Sequence, residues 1–314
     1  MKMKRFALVL LALVLLCTAA CAETSALKLY DAAVELLTDT GNVTLTGNAA
    51  FSLDGKQFKT VETTYVQDGL NSKWVLDLVS PRADGSLKKN GFTVVANNRY
   101  KYAVEVYDPS VCKIAECDPQ PAILRSSVAL TQLTSLGRAI VEQMPEWSAN
   151  EISNLGDGKM SIHIQKEQIP GSVSELLSLG VLMAVQRTLY IEDDSVATPP
   201  YPDEVPTFED YAAGTTPTRA IINYTEKYEL TALNAEISLD ENGRYTEVSG
   251  EAHFVLHTFQ DGDHEMDITF SGKAFDYGNS TVLAFDPAEY GTAFSDGMFF
   301  CPPVNELEFG PGLG

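Results

Sequence analysis

Positive charge is scarce in this chain. Its 314 residues carry 22 Lys and Arg against 43 Asp and Glu, a net charge of −21. Three of those bases (Lys2, Lys4 and Arg5) lie within the first 22 residues, which hold no acid. From residue 23 onward, 19 bases face 43 acids, a balance of −24. A phosphate-backbone footprint needs clustered Lys and Arg, so nucleic acid is excluded as a partner. The same deficit disfavours electrostatic docking to anionic lipid headgroups. Long apolar runs are missing too: Phe6–Leu16 is eleven residues, where a membrane-spanning helix takes about 20. There is no G-x-S-x-G elbow, no phosphate-binding loop and no H-E-x-x-H pair, and histidine is limited to four residues.

What is present begins with an address. Met1 to Arg5 form a basic stretch, Phe6 to Leu16 an apolar one, and Cys17-Thr18-Ala19-Ala20-Cys21-Ala22 a small-residue segment. That order matches a secretory signal peptide over residues 1–22, cleaved between Ala22 and Glu23. The alternative is a lipoprotein signal with Cys21 as the acylated residue, the one route by which membrane contact is expected. Both readings place the protein outside the cytoplasm. Export permits disulfides. Cys112 and Cys117, between Pro109 and Pro119, are expected in a turning loop where the sulfurs meet. Cys301 has no assignable partner. The second ligand pair that zinc requires is absent, so no metal site is expected.

Periodicity then divides the chain. Ser25 to Leu37 has helical spacing, with Gly41 as a stop. Asn42–Leu53, Phe58–Gln67, Trp74–Val79, Phe92–Ala96 and Tyr100–Tyr107 read as strands of a consecutive antiparallel meander, joined by Asp-Gly and Asn-Asn turns. Ile123–Met144 and Ser172–Arg187 read as helices, with Met160–Gln165 an isolated strand between them. Residues 197–217 are Pro-rich and read as a linker or surface crossover. Strands return over Ala220–Ala232, Ala235–Leu239, Tyr245–Phe259 and Glu265–Phe275. The expected organisation is therefore a unit over 23–196, a linker over 197–217, hairpins over 218–309 completing the same or a duplicated sheet, and a flexible tail over 310–314. Asn48-Ala49-Ala50-Phe51-Ser52-Leu53-Asp54 and Asn234-Ala235-Glu236-Ile237-Ser238-Leu239-Asp240 echo one another at five of seven positions. Each leads into a Gly turn and a basic residue.

A helix after a signal, long hairpins, inserted helices, and the Ser238-Leu239-Asp240-Glu241-Asn242-Gly243-Arg244 turn with its counterpart from Ser52 resemble the LolA/LppX-like superfamily. Those proteins are bacterial envelope lipid and lipoprotein carriers, and related uncharacterised Gram-positive lipoproteins look similar. The resemblance implies an α+β fold in which a curved antiparallel sheet, shaped like a half-barrel, wraps inserted helices around an apolar cavity. It carries over no site residue.

His253 and His257 stand four apart, but on a strand that separation is about 13 Å, too far for shared metal ligation. With a tight Asp261-Gly262 turn, Phe259 faces His264, His257 faces Met266, and His253 faces Phe270. The histidines then share a face with Val255, Met266, Ile268 and Phe270. Ser86-Leu87-Lys88-Lys89 matches S-x-x-K but leads into a strand and has no K-T-G companion. The helix from Val173 to Val185 is apolar nearly all round and must be covered on all sides. Its Leu176, Leu179, Val181, Leu182 and Met183, with Val255, Met266, Ile268 and Phe270 from the strands, are the expected cavity lining. The functional expectation is a non-catalytic exported binder of an apolar small molecule or lipid, with no cofactor. The alternative is a cell-surface structural or protein-interaction module.

Overall fold

The computed structural model describes residues 23–81, 86–97, 100–105, 112–116, 152–169, 224–259 and 261–283, with isolated positions between them. The chain enters through helix α1 (Glu23–Thr38). Leu29, Tyr30, Ala33 and Leu37 form its buried stripe, at the spacing an amphipathic helix requires. Thr38 ends it by donating back to the Val34 carbonyl (2.8 Å), while the Asp39 and Thr40 amides both use the Glu35 carbonyl.

Eleven strands follow among the described residues. The first six are β1 (Asn42–Leu53), β2 (Lys56–Asp68), β3 (Asn71–Pro81), β4 (Leu87–Asn97), β5 (Tyr100–Glu105) and β6 (Cys112–Glu116). The rest are β7 (Ile152–Gly156), β8 (Lys159–Gln165), β9 (Thr225–Leu239), β10 (Tyr245–Thr258) and β11 (Asp263–Phe275). They form one sheet in the order β6-β5-β4-β3-β2-β1-β11-β10-β9-β8-β7, and every pairing is antiparallel. Two meanders, one from each end of the chain, meet where β1 pairs with β11 over ten residue pairs, Thr44↔Phe275 to Leu53↔Met266. Asp54 seals this seam: its amide donates to the Glu265 carbonyl (2.8 Å), and its carboxylate accepts the Glu265 amide (3.0 Å).

Inward positions alternate strictly along the central strands. On β11, Met266, Ile268, Phe270 and Ala274 are buried, while Glu265, Thr269, Lys273 and Phe275 are exposed. The inward row continues through Ala252 and Phe254 on β10, Leu230 and Leu233 on β9, Ile162 and Ile164 on β8, and Val61, Leu76 and Leu78 on β2 and β3. α1 packs on this side, and the Tyr245 hydroxyl donates to the Leu29 carbonyl (3.2 Å). The other side is polar across the centre of the sheet. Satellite burial of Thr93, Val95 and Val104 occurs on it only toward the β4–β5 end.

The α+β expectation of several inserted helices is met in part. α1 is the one continuous α-helix among the described residues. Positions 134, 135 and 138, positions 171, 174, 175 and 178, and positions 221, 222 and 224 are helical. Two of these segments pack on the sheet-and-α1 layer: the Tyr30 hydroxyl donates to the Thr134 carbonyl, Arg138 pairs with Asp31 (2.7 Å), and the buried Ser178 hydroxyl accepts the Tyr228 amide (3.0 Å). Three strand expectations change. Met160–Gln165 is not isolated, because β8 lies between β9 and the unanticipated β7. Ala220–Ala232 and Ala235–Leu239 are not two strands. A helical turn at 221–222 comes first, with Thr225 donating to the Ile221 carbonyl (2.9 Å), and one unbroken β9 follows. Third, the segment expected to turn between Cys112 and Cys117 is the strand β6 through Glu116. Cys117 itself lies outside the described residues, as do the signal segment, the 197–217 linker, Cys301 and the tail.

Candidate functional site

The register of the last hairpin decides which side chains face the helices. Observed partners are Phe254↔Met266, Ala252↔Ile268, Leu256↔His264, His253↔Asp267 and His257↔Asp263. A tight Asp261-Gly262 turn would shift these by three residues, and an odd shift exchanges the two faces. The connection is longer because Thr258 organises it. Its amide and hydroxyl both donate to the Gly262 carbonyl (3.3 and 2.7 Å), and its hydroxyl accepts the Asp261 amide (3.2 Å). Gly262 takes a positive φ of 84° there.

The expected lining is corrected accordingly. Met266, Ile268 and Phe270 are buried on the helix-facing side, within the main core. Val255 lies on the opposite side, between Glu229 and Glu265 in register, and so do His253 and His257. Leu176, Leu179, Val181, Leu182 and Met183 lie outside the described residues. Ser178, in their midst, is buried against β9. The helix-facing side also holds polar groups that pattern reading missed: Lys59, Gln67 and Tyr228 are each at most 3% exposed. Their inward direction depends on register, so residue type alone gives no signal.

Carboxylates bracket the histidines. His253 Nδ1 meets Asp267 at 2.6 Å and its Nε2 lies 3.6 Å from Glu251. Burial works against its protonation, but the hydrogen bond and charge of Asp267, helped by Glu251, outweigh that and raise its pKa above the ordinary value. His257 meets Asp263 (2.9 Å) and Glu229 (3.5 Å), and Glu229 also takes Lys166 (2.7 Å). His163 pairs with the Asn234 amide oxygen (3.0 Å). These are cross-strand ties on an exposed face, and among the described residues no group of three or more His, Cys, Asp or Glu could hold a metal ion. The turn Asp240-Glu241-Asn242-Gly243 uses its first carboxylate internally, accepting the Asn242 and Arg244 amides and the Arg244 side chain, all at 2.9 Å. Burial alone would raise the Asp240 pKa; the Arg244 and Asn242 hydrogen bonds reverse this and lower it.

A groove of about 410 Å³ crosses the polar side over β11, β1, β2 and β3, with Thr46, Asn48, Glu62, Thr64, Asp77, Ser271 and Lys273 around it. It stands on the face opposite the expected apolar cavity. Among the described residues, no helix is long and apolar enough to cross a membrane.

No protein-family model matches the chain, and no curated protein does. Among solved structures, a LolA superfamily protein from Nitrosomonas europaea aligns at 9% identity and a TM-score of 0.20, over 78% of this chain and 90% of that one. An N-terminal dehydratase from the difficidin assembly line aligns at 11% identity and a TM-score of 0.15, over 80% and 84%. The likeness to the LolA superfamily protein is a weak, architecture-level one only.

Proposed function

We propose that the chain is an exported, non-catalytic carrier of a lipid-like or other apolar ligand, held between the helix-facing side of the sheet and the helices over it. The observation behind this reading is the width of the apolar side. Buried inward residues run without interruption from β3 through β2, β1, β11, β10 and β9 to β8. Seven strands at ~4.8 Å spacing make a face about 29 Å across, whereas a helix is about 10 Å wide. α1 covers a third of it, and beyond α1 the helical position Ser178 packs on β9, where its hydroxyl accepts the Tyr228 amide; the sequence around Ser178 reads as a helix apolar nearly all round. A ligand in that layer would meet apolar surface from both sides. Export rests on the N-terminal segment, with lipidation at Cys21 as its variant. The groove on the polar side favours a second reading, a surface interaction module.

Purification without detergent from an exporting host, followed by organic extraction and mass spectrometry, tests the proposal. A co-purified amphiphile at near-stoichiometric amount is expected. Neither extractable lipid nor saturable binding of an apolar fluorescent probe would leave the interaction module as the reading.

A further inference from the structure

The groove on the polar side of the sheet has its charges sorted by sign. Register sets Ser271, Asn48, Glu62 and Asp77 side by side on β11, β1, β2 and β3. The neighbouring row on the same face is Lys273, Thr46, Thr64 and Val75. Together they line the groove of about 410 Å³, within the range of small-ligand sites, about 300–1,000 Å³. It is open to solvent, since Asn48, Glu62 and Lys273 are exposed. At one end Glu62 and Asp77 stand directly opposite one another, where like charges repel, and the next strand presents Gly91 to Asp77 and so adds no side chain. Lys273 stands at the other end, about 12 Å from Glu62 at Cα by strand spacing and rise. It meets Glu247 at 3.2 Å in a pair exposed by 63% and 53%, and so solvated a pair holds its ammonium only weakly. Between the ends, Thr46, Thr64 and Ser271 offer hydroxyls and Asn48 an amide, groups that both donate and accept.

We infer that this groove binds a short peptide with free ends, its ammonium between Glu62 and Asp77 and its carboxylate on Lys273. Charge selects both ends. A protein of net charge −21 repels a simple anion, and a simple cation leaves Lys273 and the floor unused. An extended tripeptide is about 10 Å long, and the side chains of Lys273 and Glu62 close the remaining distance. Its backbone alternates N–H and C=O groups, which the mixed donors and acceptors of the floor can meet in turn. Occupation also sets a positive charge between the two opposed carboxylates and so removes their repulsion. The groove lies on the face opposite the proposed apolar ligand, and the inference does not depend on the carrier reading.

The test is titration of the full chain with trialanine, followed by backbone amide chemical shifts. Saturable shifts are expected at Thr46, Asn48, Thr64 and Ser271. N-acetyl-trialanine amide, which lacks both charges, should bind more weakly by about tenfold or more, the loss of charge-assisted hydrogen bonds. Lys273→Gln should weaken trialanine about tenfold and leave trialanine amide unchanged, while Glu62→Gln should weaken trialanine about tenfold and leave N-acetyl-trialanine unchanged. Both substitutions sit at exposed positions, and thermal melts verify that the variants fold. No saturable shift, equal binding of the free and doubly capped peptides, or shifts confined to the helix-facing side would each overturn the inference and leave the carrier reading standing.

Discussion

Exchanging neighbouring residues on β10 should produce opposite results. Phe254 is 2% exposed on the helix-facing side, between Leu230 and Met266, which are 3% and 0% exposed. Truncation to alanine leaves a hole whose walls are strand backbone and buried side chains, which can close only in part. The cost is then the upper range for such changes, about 3–5 kcal/mol. Val255 stands between Glu229 and Glu265 on the polar side, partly exposed, and its truncation should cost less than about 1 kcal/mol. Urea unfolding followed by circular dichroism, with free energies extrapolated to water, measures both. A total stability of about 5–15 kcal/mol leaves the Phe254→Ala chain foldable enough to read. Equal losses for the two variants, or a larger one for Val255→Ala, would mean that the hairpin is paired in the other register and that the helix-facing lining is wrong.

The raised pKa of His253 makes stability pH-dependent through Asp267. A group whose folded pKa exceeds its unfolded one stabilises fully below the unfolded value near 6.5, and that contribution fades as pH rises through the folded value. Asp267→Asn should therefore lower the melting temperature more at pH 6 than at pH 8.5; an identical difference at both would refute the coupling. Gly250→Ala should fold poorly, since its Cβ would lie 2.3 Å from the Asn234 carbonyl oxygen and 2.9 Å from the Ala235 Cα. Normal yield and melting temperature would contradict that close approach. Asp54→Ala removes the acceptor for the Glu265 amide and His264 at the β1–β11 seam. It should cost about 1–2 kcal/mol and speed amide exchange at Glu265, while exchange unaffected at that amide would argue against the seam.

Much of the sheet was legible because its strands alternate cleanly and end on turn residues. β1 ends as expected at Leu53, and the Asp54-Gly55 pair that follows has φ of 49° and 73°, the conformation a two-residue hairpin demands. The echo of that stretch in residues 234–240 is likewise the end of a strand leading into a hairpin. The last hairpin was misread because Asp261-Gly262 carries the same signal, yet a threonine three residues earlier draws the turn outward. No composition rule weighs one hydroxyl that way. β7 escaped notice because Ser153 and Asn154 give it little strand character, and it exists through pairing with β8. Lys59 and Tyr228 were invisible as buried polar groups for a different reason: an inward polar side chain stands out only when both neighbouring strands are in register.

Trp74 offers the most direct view of the central claim. It packs against the core on the helix-facing side, with its indole N–H donating to Thr63 (2.6 Å), and Trp147 is the only other tryptophan in the chain. In a Trp147→Phe background, titration with 1-bromododecane should quench Trp74 emission saturably, near one equivalent, while leaving it shielded from aqueous iodide. Emission that ignores the brominated chain while the protein remains folded would mean that no apolar ligand enters between sheet and helices.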